Sequence, residues 1–396
     1  MTKTKLEIQR QLRIGTPLAD IVSKLGLETD ERDDLVLLRY SQVDSPKADP
    51  IVMECRGLIL QKGTWDIVSM PFRRFFNYGE VLELNKDFPY AGAVAQEKLD
   101  GTLIQVFPWQ DRFRISTRGK IDASGTVSFS AMTFAELFDL TIAAYPNFWK
   151  ALDKRFTYTF ELISLENRIV TVYKERELCL TLMRDRLENH DELPSDQLDA
   201  HAKALGVRRP KETRFADSEE LLALSTHMSS PLDEGYVCVN YNARTPDGDF
   251  PRIKVKNPGY VAIAHLKESS SSSNAGLMYL VLKGEQEEFL SYFPEYKDKV
   301  VPLVEGFAKL EAELDAALGQ LASLLAGPKT PENRKAFAME AKKARDPSYL
   351  FAVYDGKSAG YRQSLVAQAA LKGSKSVSKR VLQNLGVKDV ERACEE

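Results

Sequence analysis

The run Glu268-Ser269-Ser270-Ser271-Ser272-Ser273-Asn274 separates two stretches of chain whose apolar residues follow different periods. A chain that changes period in this way cannot be one repeating architecture. From about Ile51 to Lys267, short apolar-polar alternations lie between turn residues: 57–60, 102–107, 112–116, 158–163, 236–239 and 252–256. This pattern predicts mostly antiparallel strands, with helices intervening around 132–151 and 195–205, hence an α+β domain. Beyond the serines, Leu303, Phe307, Leu310, Leu314, Ala317, Leu321 and Leu325 recur at three- and four-residue steps. One helix face carries them all, and it must be buried in a helical domain. The serine run has too little apolar content to offset its ordering entropy. The expected organisation is therefore an α+β domain over 1–268 with a helical N-terminal element, a linker over 269–275, and an all-helical domain over 276–396. The N-terminal element rests on Leu18, Ile21, Val22 and Leu25 behind Thr16-Pro17, a capped amphipathic helix closing near Gly26.

Composition narrows the class further. A chain of 396 residues, 43% hydrophobic and 28% charged, has material for two or three globular cores and is neither a disordered polymer nor a small stapled scaffold. Lys and Arg number 54 against 57 Asp and Glu, so any nucleic-acid surface has to be local. Residues 281–315 carry 4 basic and 9 acidic side chains, residues 329–392 carry 14 and 6, and Lys372, Lys375, Lys379 and Arg380 form a basic cluster. A solvated helix face and a phosphate-contacting surface explain that cluster equally well. Cys55, Cys179, Cys238 and Cys394 stand apart with no Cys-x-x-Cys pair, so neither a zinc cage nor a disulfide framework is expected, as suits a reducing compartment. The first residues lack an apolar signal core and no run approaches a membrane span, which places the expectation in the cytosol, away from membranes.

The chemistry concentrates in a few places. Lys98 precedes the turn Asp100-Gly101, with a strand beginning at Thr102. A lysine amine attacks only when deprotonated, so a nucleophilic lysine belongs in a pocket beside other cations. Arg56 and Arg74, near strand-turn junctions, suit bidentate contact with phosphate, whereas Phe72, Phe75 and Phe76 read as core. Glu161 interrupts the apolar stretch 158–163 and Glu234 opens the strand 235–239. A half-buried carboxylate there needs a metal, a cation or a ribose hydroxyl as partner, unless it faces solvent at a strand end. In 252–256 a period of two puts Lys254 and Lys256 on one face, opposite Ile253 and Val255.

Taken in order, Lys98-x-Asp100-Gly101, Phe160-Glu161-Leu162, Glu234-Gly235-Tyr236-Val237 and Lys254-Val255-Lys256 resemble motifs I, III, IV and V of the covalent nucleotidyltransferases. Within that superfamily, Glu54-Cys55-Arg56-Gly57, Phe75-Phe76-Asn77, Asn167-Arg168-Ile169-Val170 and the helical C-terminal region resemble the phage RNA ligase 1 family. Two positions depart from it: Arg74 and Arg118 stand where lysines are expected, which keeps charge and changes phosphate geometry.

The resemblance implies an antiparallel nucleotidyltransferase domain followed by helices. It implies an ATP-dependent RNA ligase that joins 5′-phosphate and 3′-hydroxyl ends, on nicked tRNA, as a monomer. It assigns Lys98 as nucleophile, Lys254 and Lys256 to phosphate charge, and Asp100 to the metal shell or to orienting Lys98. Glu161 and Glu234 would hold metal waters or the ribose, with Mg²⁺ or Mn²⁺ as the ion, and Arg56, Arg74 and Arg118 would contact the triphosphate or the 5′-phosphate. Gly101 completes the nucleotide-binding set. Two rivals are a GTP-dependent guanylyltransferase and a non-catalytic RNA-binding protein using the basic C-terminal region.

Overall fold

The computed structural model describes residues 4–41, 44–80, 87–128, 130–271, 273–357 and 360–388. The chain divides into two compact units, Met1–Ala262 and Ile263–Cys394. In the first unit three antiparallel sheets form. One runs in the order Leu27–Arg32, Leu35–Tyr40, Arg56–Gln61, Ile67–Ser69, and the central one Asp191–Glu192, Glu177–Asp185, Phe156–Ile163, Thr102–Trp109, Arg112–Thr117. The third runs Glu212–Arg214, Val94–Glu97, Gly235–Val239, Arg252–Lys256. All six strands expected from alternation are present, and helices Phe134–Ile142, Phe148–Ala151 and Ser195–Leu205 occupy the stretches where helices were expected.

Period two decides which face each strand buries. In Leu35–Tyr40, Val36 and Leu38 pack under the N-terminal helices Glu7–Arg13 and Leu18–Leu25, while Leu35 and Leu37 face Phe107 and Ile121 of the neighbouring layer. A strand buried on both faces reads as a continuous apolar run. The central sheet buries Ile104, Val106, Tyr158, Phe160, Leu178 and Leu180 against its helices. The third sheet buries Ala95, Cys238, Ile253 and Val255 against the helix Ser218–Thr226. Where the layers meet, wholly buried Arg184 bonds Asp249 at 2.6 Å and Glu192 at 3.3 Å, and Glu192 also holds Arg252 at 2.7 Å. Charges this deep persist only when each has such partners.

Two expectations need correction. The N-terminal element is helical only to Leu25, where Gly26 closes the helix in the left-handed region (φ 58°) as expected; residues 27–40 form a hairpin instead. Its first strand, Leu27–Arg32, is mostly exposed and polar, so alternation does not reveal it, and Asp33 turns it at φ 54°. The serine run is not an open linker either. A helix spans Pro258–Ser271, Ser273 caps the next helix by accepting from the Gly276 amide, and the boundary between units falls at residues 262/263 inside the helix. Serine costs little in a helix and is favoured at its N-cap, so residues 269–271 extend one helix and Ser273 caps the next.

The second unit is helical throughout its described residues, and the predicted stripe is core: Val300, Leu303, Phe307, Leu310 and Leu314 of Lys297–Gln320 are buried. Its acidic and basic stretches partly neutralise each other, through Glu313–Arg345 at 3.2 Å and Glu311–Arg362 at 3.4 Å. Arg380 lies 3.8 Å from buried Asp346; the Lys372 side chain lies outside the described residues. No helix among the described residues is long and apolar enough to cross a membrane. Cys55, Cys179 and Cys238 are free and buried, and burial pushes each thiol above its ordinary range; Cys394 lies outside the described residues.

Candidate active site

Lys98 follows directly on the strand Val94–Glu97, and its amide donates to the Gly235 carbonyl (2.9 Å) of the adjacent strand. That pairing sets Lys98 beside Glu234, whose own carbonyl accepts from the Asn257 amide at 3.0 Å. The side chains meet: Lys98 Nζ lies 2.5 Å from Glu234 Oε2, and Lys256 Nζ reaches Glu234 Oε1 at 3.3 Å. Gly235 between them adopts φ 130°, and a Cβ there would lie 2.2 Å from the Val255 carbonyl oxygen, so only glycine lets these strands close.

These groups line a cavity of about 350 Å³. Lys98, Glu161, Glu234, Lys254, Lys256, Arg56 and Arg74 all reach it, as the sequence predicts, together with Arg252, Glu80 and Glu97. The strand Arg252–Lys256 buries Ile253 and Val255 and leaves Lys254 and Lys256 on the other face. A short extended segment clips onto it, since the Lys254 amide donates to the Phe76 carbonyl (2.9 Å) and the Tyr78 amide to the Lys254 carbonyl (2.7 Å). Lys254 is held well below the usual lysine range, first by withdrawal from water and then by Arg56, Lys98 and Lys256 around it.

Glu161 is the carboxylate with spare capacity. Among the described residues no hydrogen bond or ion pair engages it, and withdrawal from water pushes its carboxyl up to about 7 against the opposing pull of Lys98 and Arg56. Glu234 is occupied by two lysines. Asp100, expected at the metal shell or as a group orienting Lys98, does not line the cavity. Its Oδ2 accepts from the Val170 and Thr171 amides at 2.7 and 2.8 Å, its Oδ1 from the Tyr260 hydroxyl at 2.7 Å, and its amide donates to the Tyr173 hydroxyl. These bonds engage both carboxylate oxygens and tie the turn after Lys98 to Val170, Thr171, Tyr173 and Tyr260. Among the described residues no three His, Cys, Asp or Glu side chains cluster as a ready metal cage. A hard cation that keeps most of its ligands as water and substrate phosphate needs only one or two protein carboxylates, so Glu161 fits it.

Gly101 and Arg118 also lie outside the lining. A Cβ on Gly101 would lie 2.4 Å from the Leu162 carbonyl oxygen, so the glycine admits close packing of the turn on the strand bearing Glu161. Gly101→Ala should cost about 2–3 kcal/mol in urea unfolding, and a variant as stable as the parent would show that the turn can shift freely. Arg118 donates to the Tyr40 carbonyl at 3.2 Å and lies 4.7 Å from the Tyr40 ring; Arg74 lies 4.2 Å from the same ring, with its Nη1 buried and without a hydrogen-bond partner among the described residues. Phe76 is buried as expected, Phe72 and Phe75 are only half-buried, and all three line the cavity. Tyr40, Tyr173 and Tyr260 escape a reading by motif. Each is an apolar ring with one polar atom, and only the fold shows where that atom points. Burial, with Glu234 and Asp100 nearby, pushes the Tyr260 hydroxyl up, so it remains a donor.

The family model described as "RNA ligase" (RNA_lig_T4_1) matches residues 54–260, the segment that carries every cavity residue except Tyr40. An RNA ligase of Rhodothermus phage RM378 is 26% identical over 390 residues, covering 84% of this chain and 88% of its own. A protein of Autographa californica nuclear polyhedrosis virus, whose name combines polynucleotide kinase and RNA ligase, is 29% identical over 302 residues. That match takes in 71% of this chain, which spans only 41% of the viral protein. Among solved structures, an archaeal ATP-dependent RNA ligase aligns with a TM-score of 0.44 at 14% identity, over 85% of this chain and 88% of its own.

Proposed function

The chain belongs to the phage RNA ligase 1 family, and on that basis we propose that it is an ATP-dependent RNA ligase whose covalent nucleophile is Lys98. The observation that carries the reading is the contact of Lys98 Nζ with Glu234 at 2.5 Å in a cavity walled by Arg56, Lys254 and Lys256. A lysine placed this way can attack only a strongly electrophilic anion that its neighbours also bind, and the α-phosphate of a nucleoside triphosphate is such a group.

In the first step the Lys98 amine, having shed a proton, attacks the α-phosphorus; a P–N bond forms and the P–O bond to pyrophosphate breaks. Lys254, Lys256 and Arg56 neutralise the charge that develops on the phosphate oxygens. The AMP then passes to an RNA 5′-phosphate, and an RNA 3′-hydroxyl attacks that phosphate and expels AMP. Each step is an in-line displacement, so the residues act by positioning and charge. Glu161 would hold a divalent ion, Mg²⁺ or Mn²⁺, which adds positive charge at the phosphates when bound. Asp100, through Tyr260 and the Val170 and Thr171 amides, keeps the lysine turn fixed.

The finer reading is a monomeric cytosolic enzyme that seals nicked tRNA, with the helical unit offering its basic residues to RNA. The test supplies end-labelled RNA carrying a 5′-phosphate and a 3′-hydroxyl, with magnesium and either ATP or GTP. Sealing with ATP alone is expected, on a nicked tRNA faster than on an unstructured strand. Sealing with GTP, or salt-sensitive RNA binding with no joined product, would replace this reading by one of its two rivals.

A further inference from the structure

The phosphate end of the cavity poses an electrostatic problem. Arg56, Arg252 and Lys254 share it, and of the four acids that line the cavity three are committed elsewhere, while Glu161 forms no ion pair among the described residues. Glu234 is bound to Lys98 and Lys256, Glu97 to Arg208, and Glu80 to Lys47 and the Asn77 carboxamide. Among the described residues Lys254 makes no ion pair, and Arg56 Nη1 is buried with no hydrogen-bond partner. Without an anion present, such cations would repel one another and turn away.

Two rings lie in their midst. Phe72 and Phe75 pack edge to face, with centroids 5.9 Å apart and planes at 71°. The Arg56 guanidinium lies 5.8 Å from the Phe72 ring and 5.7 Å from the Phe75 ring. Arg252 lies 4.8 Å from Phe72, and Lys254 Nζ lies 4.7 Å from Phe75. All four distances fall within the range at which the negative face of a ring attracts a cation. Among the described residues, only Arg252 of these cations also has a carboxylate, Glu192 at 2.7 Å.

We propose that the Phe72–Phe75 pair is a positioning platform for the triphosphate-binding cations, its ring faces standing in for counter-ions while leaving the N–H donors of Arg56 and Lys254 free for phosphate oxygens. A carboxylate in the same place would hold those donors and would have to be displaced, at a cost, each time a polyanion entered. A ring attracts the cation without accepting a directed bond, so the cations stay gathered and remain available. The platform serves the adenylylation reading and therefore rests on it, but it makes a claim of its own about polyanion affinity.

The test compares Phe75→Leu, which keeps an apolar filler and loses the ring, with Phe75→Tyr, which keeps the ring. Binding of inorganic tripolyphosphate is measured by calorimetry, and KM and kcat for AMP attachment from ATP are measured separately. Leucine should weaken tripolyphosphate binding and raise the KM for ATP by about tenfold, with kcat changed much less, and tyrosine should restore both to within about threefold of wild type. Equal losses in both variants would mean that shape alone matters, and no loss in either would mean that the rings are filler; each result overturns the platform. Should the leucine variant unfold, Phe72→Leu against Phe72→Tyr makes the same contrast at the ring under Arg252. A wild type that takes no AMP yet shows the leucine–tyrosine contrast would overturn the ligase reading and leave the platform standing. AMP attachment without the contrast would do the reverse.

Discussion

Lys98→Ala protein incubated with ATP and magnesium should show no gain in intact mass, whereas the wild type gains one AMP before any RNA is added. The expectation is all-or-none because none of the neighbouring amines can take over. Lys256 is tied to the far oxygen of Glu234 at 3.3 Å, and Lys254 sits against the Phe75 ring with its backbone fixed on both sides by Phe76 and Tyr78. The alanine variant should keep its fold, since the Lys98 amide and its bond to Gly235 do not depend on the side chain. Glu234 loses one of two cationic partners, so a modest shift in melting temperature is the only structural cost. An alanine variant that still acquires AMP would move the nucleophile elsewhere and overturn the assignment. A folded wild type that never acquires it would leave the family membership intact and remove the activity from this chain.

Glu161→Gln should make the protein more stable at pH 8 and a much poorer enzyme. In the folded chain the Glu161 carboxyl keeps its proton up to about pH 7, against the ordinary 4.5 of an exposed glutamate. Between those two values the folded state binds more protons than the unfolded state, so stability falls as pH rises through the window and stays lowered above it. Glutamine has no charge to desolvate. The variant should match the parent near pH 4 and exceed it at pH 8 by on the order of 2 kcal/mol, measured by urea unfolding at both pH values. AMP attachment by the parent should climb as pH passes about 7, and the variant should fall short of it by roughly a hundredfold or more, since a neutral amide holds a divalent cation poorly. A variant destabilised at pH 8, or one whose activity matches the parent, would show that Glu161 is satisfied within the fold and is not waiting for an ion.

Glu161, Lys254 and Lys256 are legible in the amino-acid sequence because each stands out against a period. Glu161 is an acid inside an apolar strand, and Lys254 and Lys256 share a parity that period two converts into a common face. The strands themselves are legible for the same reason. What escapes is whatever depends on partners distant along the chain. The family resemblance leaves Asp100 either at the metal shell or orienting Lys98, and only the fold shows Val170, Thr171 and Tyr260 engaging its oxygens. Phe72 and Phe75 read as core because phenylalanine usually is, and their role is set by the cations that other strands bring to them. The hairpin over 27–40 is hidden by a first strand whose side chains mostly face solvent, and the serine run by the fact that residues too polar for a core can still cap a helix.

The bond between Lys98 and Glu234 joins residues separated by 136 positions, and they meet only when the strand that precedes Lys98 pairs with the strand that follows Glu234. Contacts of such long separation close late in folding, after local hairpins and helices have formed, because the loop entropy must be met first. Lys98, the proposed nucleophile, therefore has no carboxylate beside it and no lysine wall in front of it until the third sheet is complete. A chain emerging from synthesis, or one partly unfolded by heat, carries the nucleophile but not the chemistry. On the proposed reading, activation of the nucleotide is thereby tied to the finished architecture rather than to the motif that announces it.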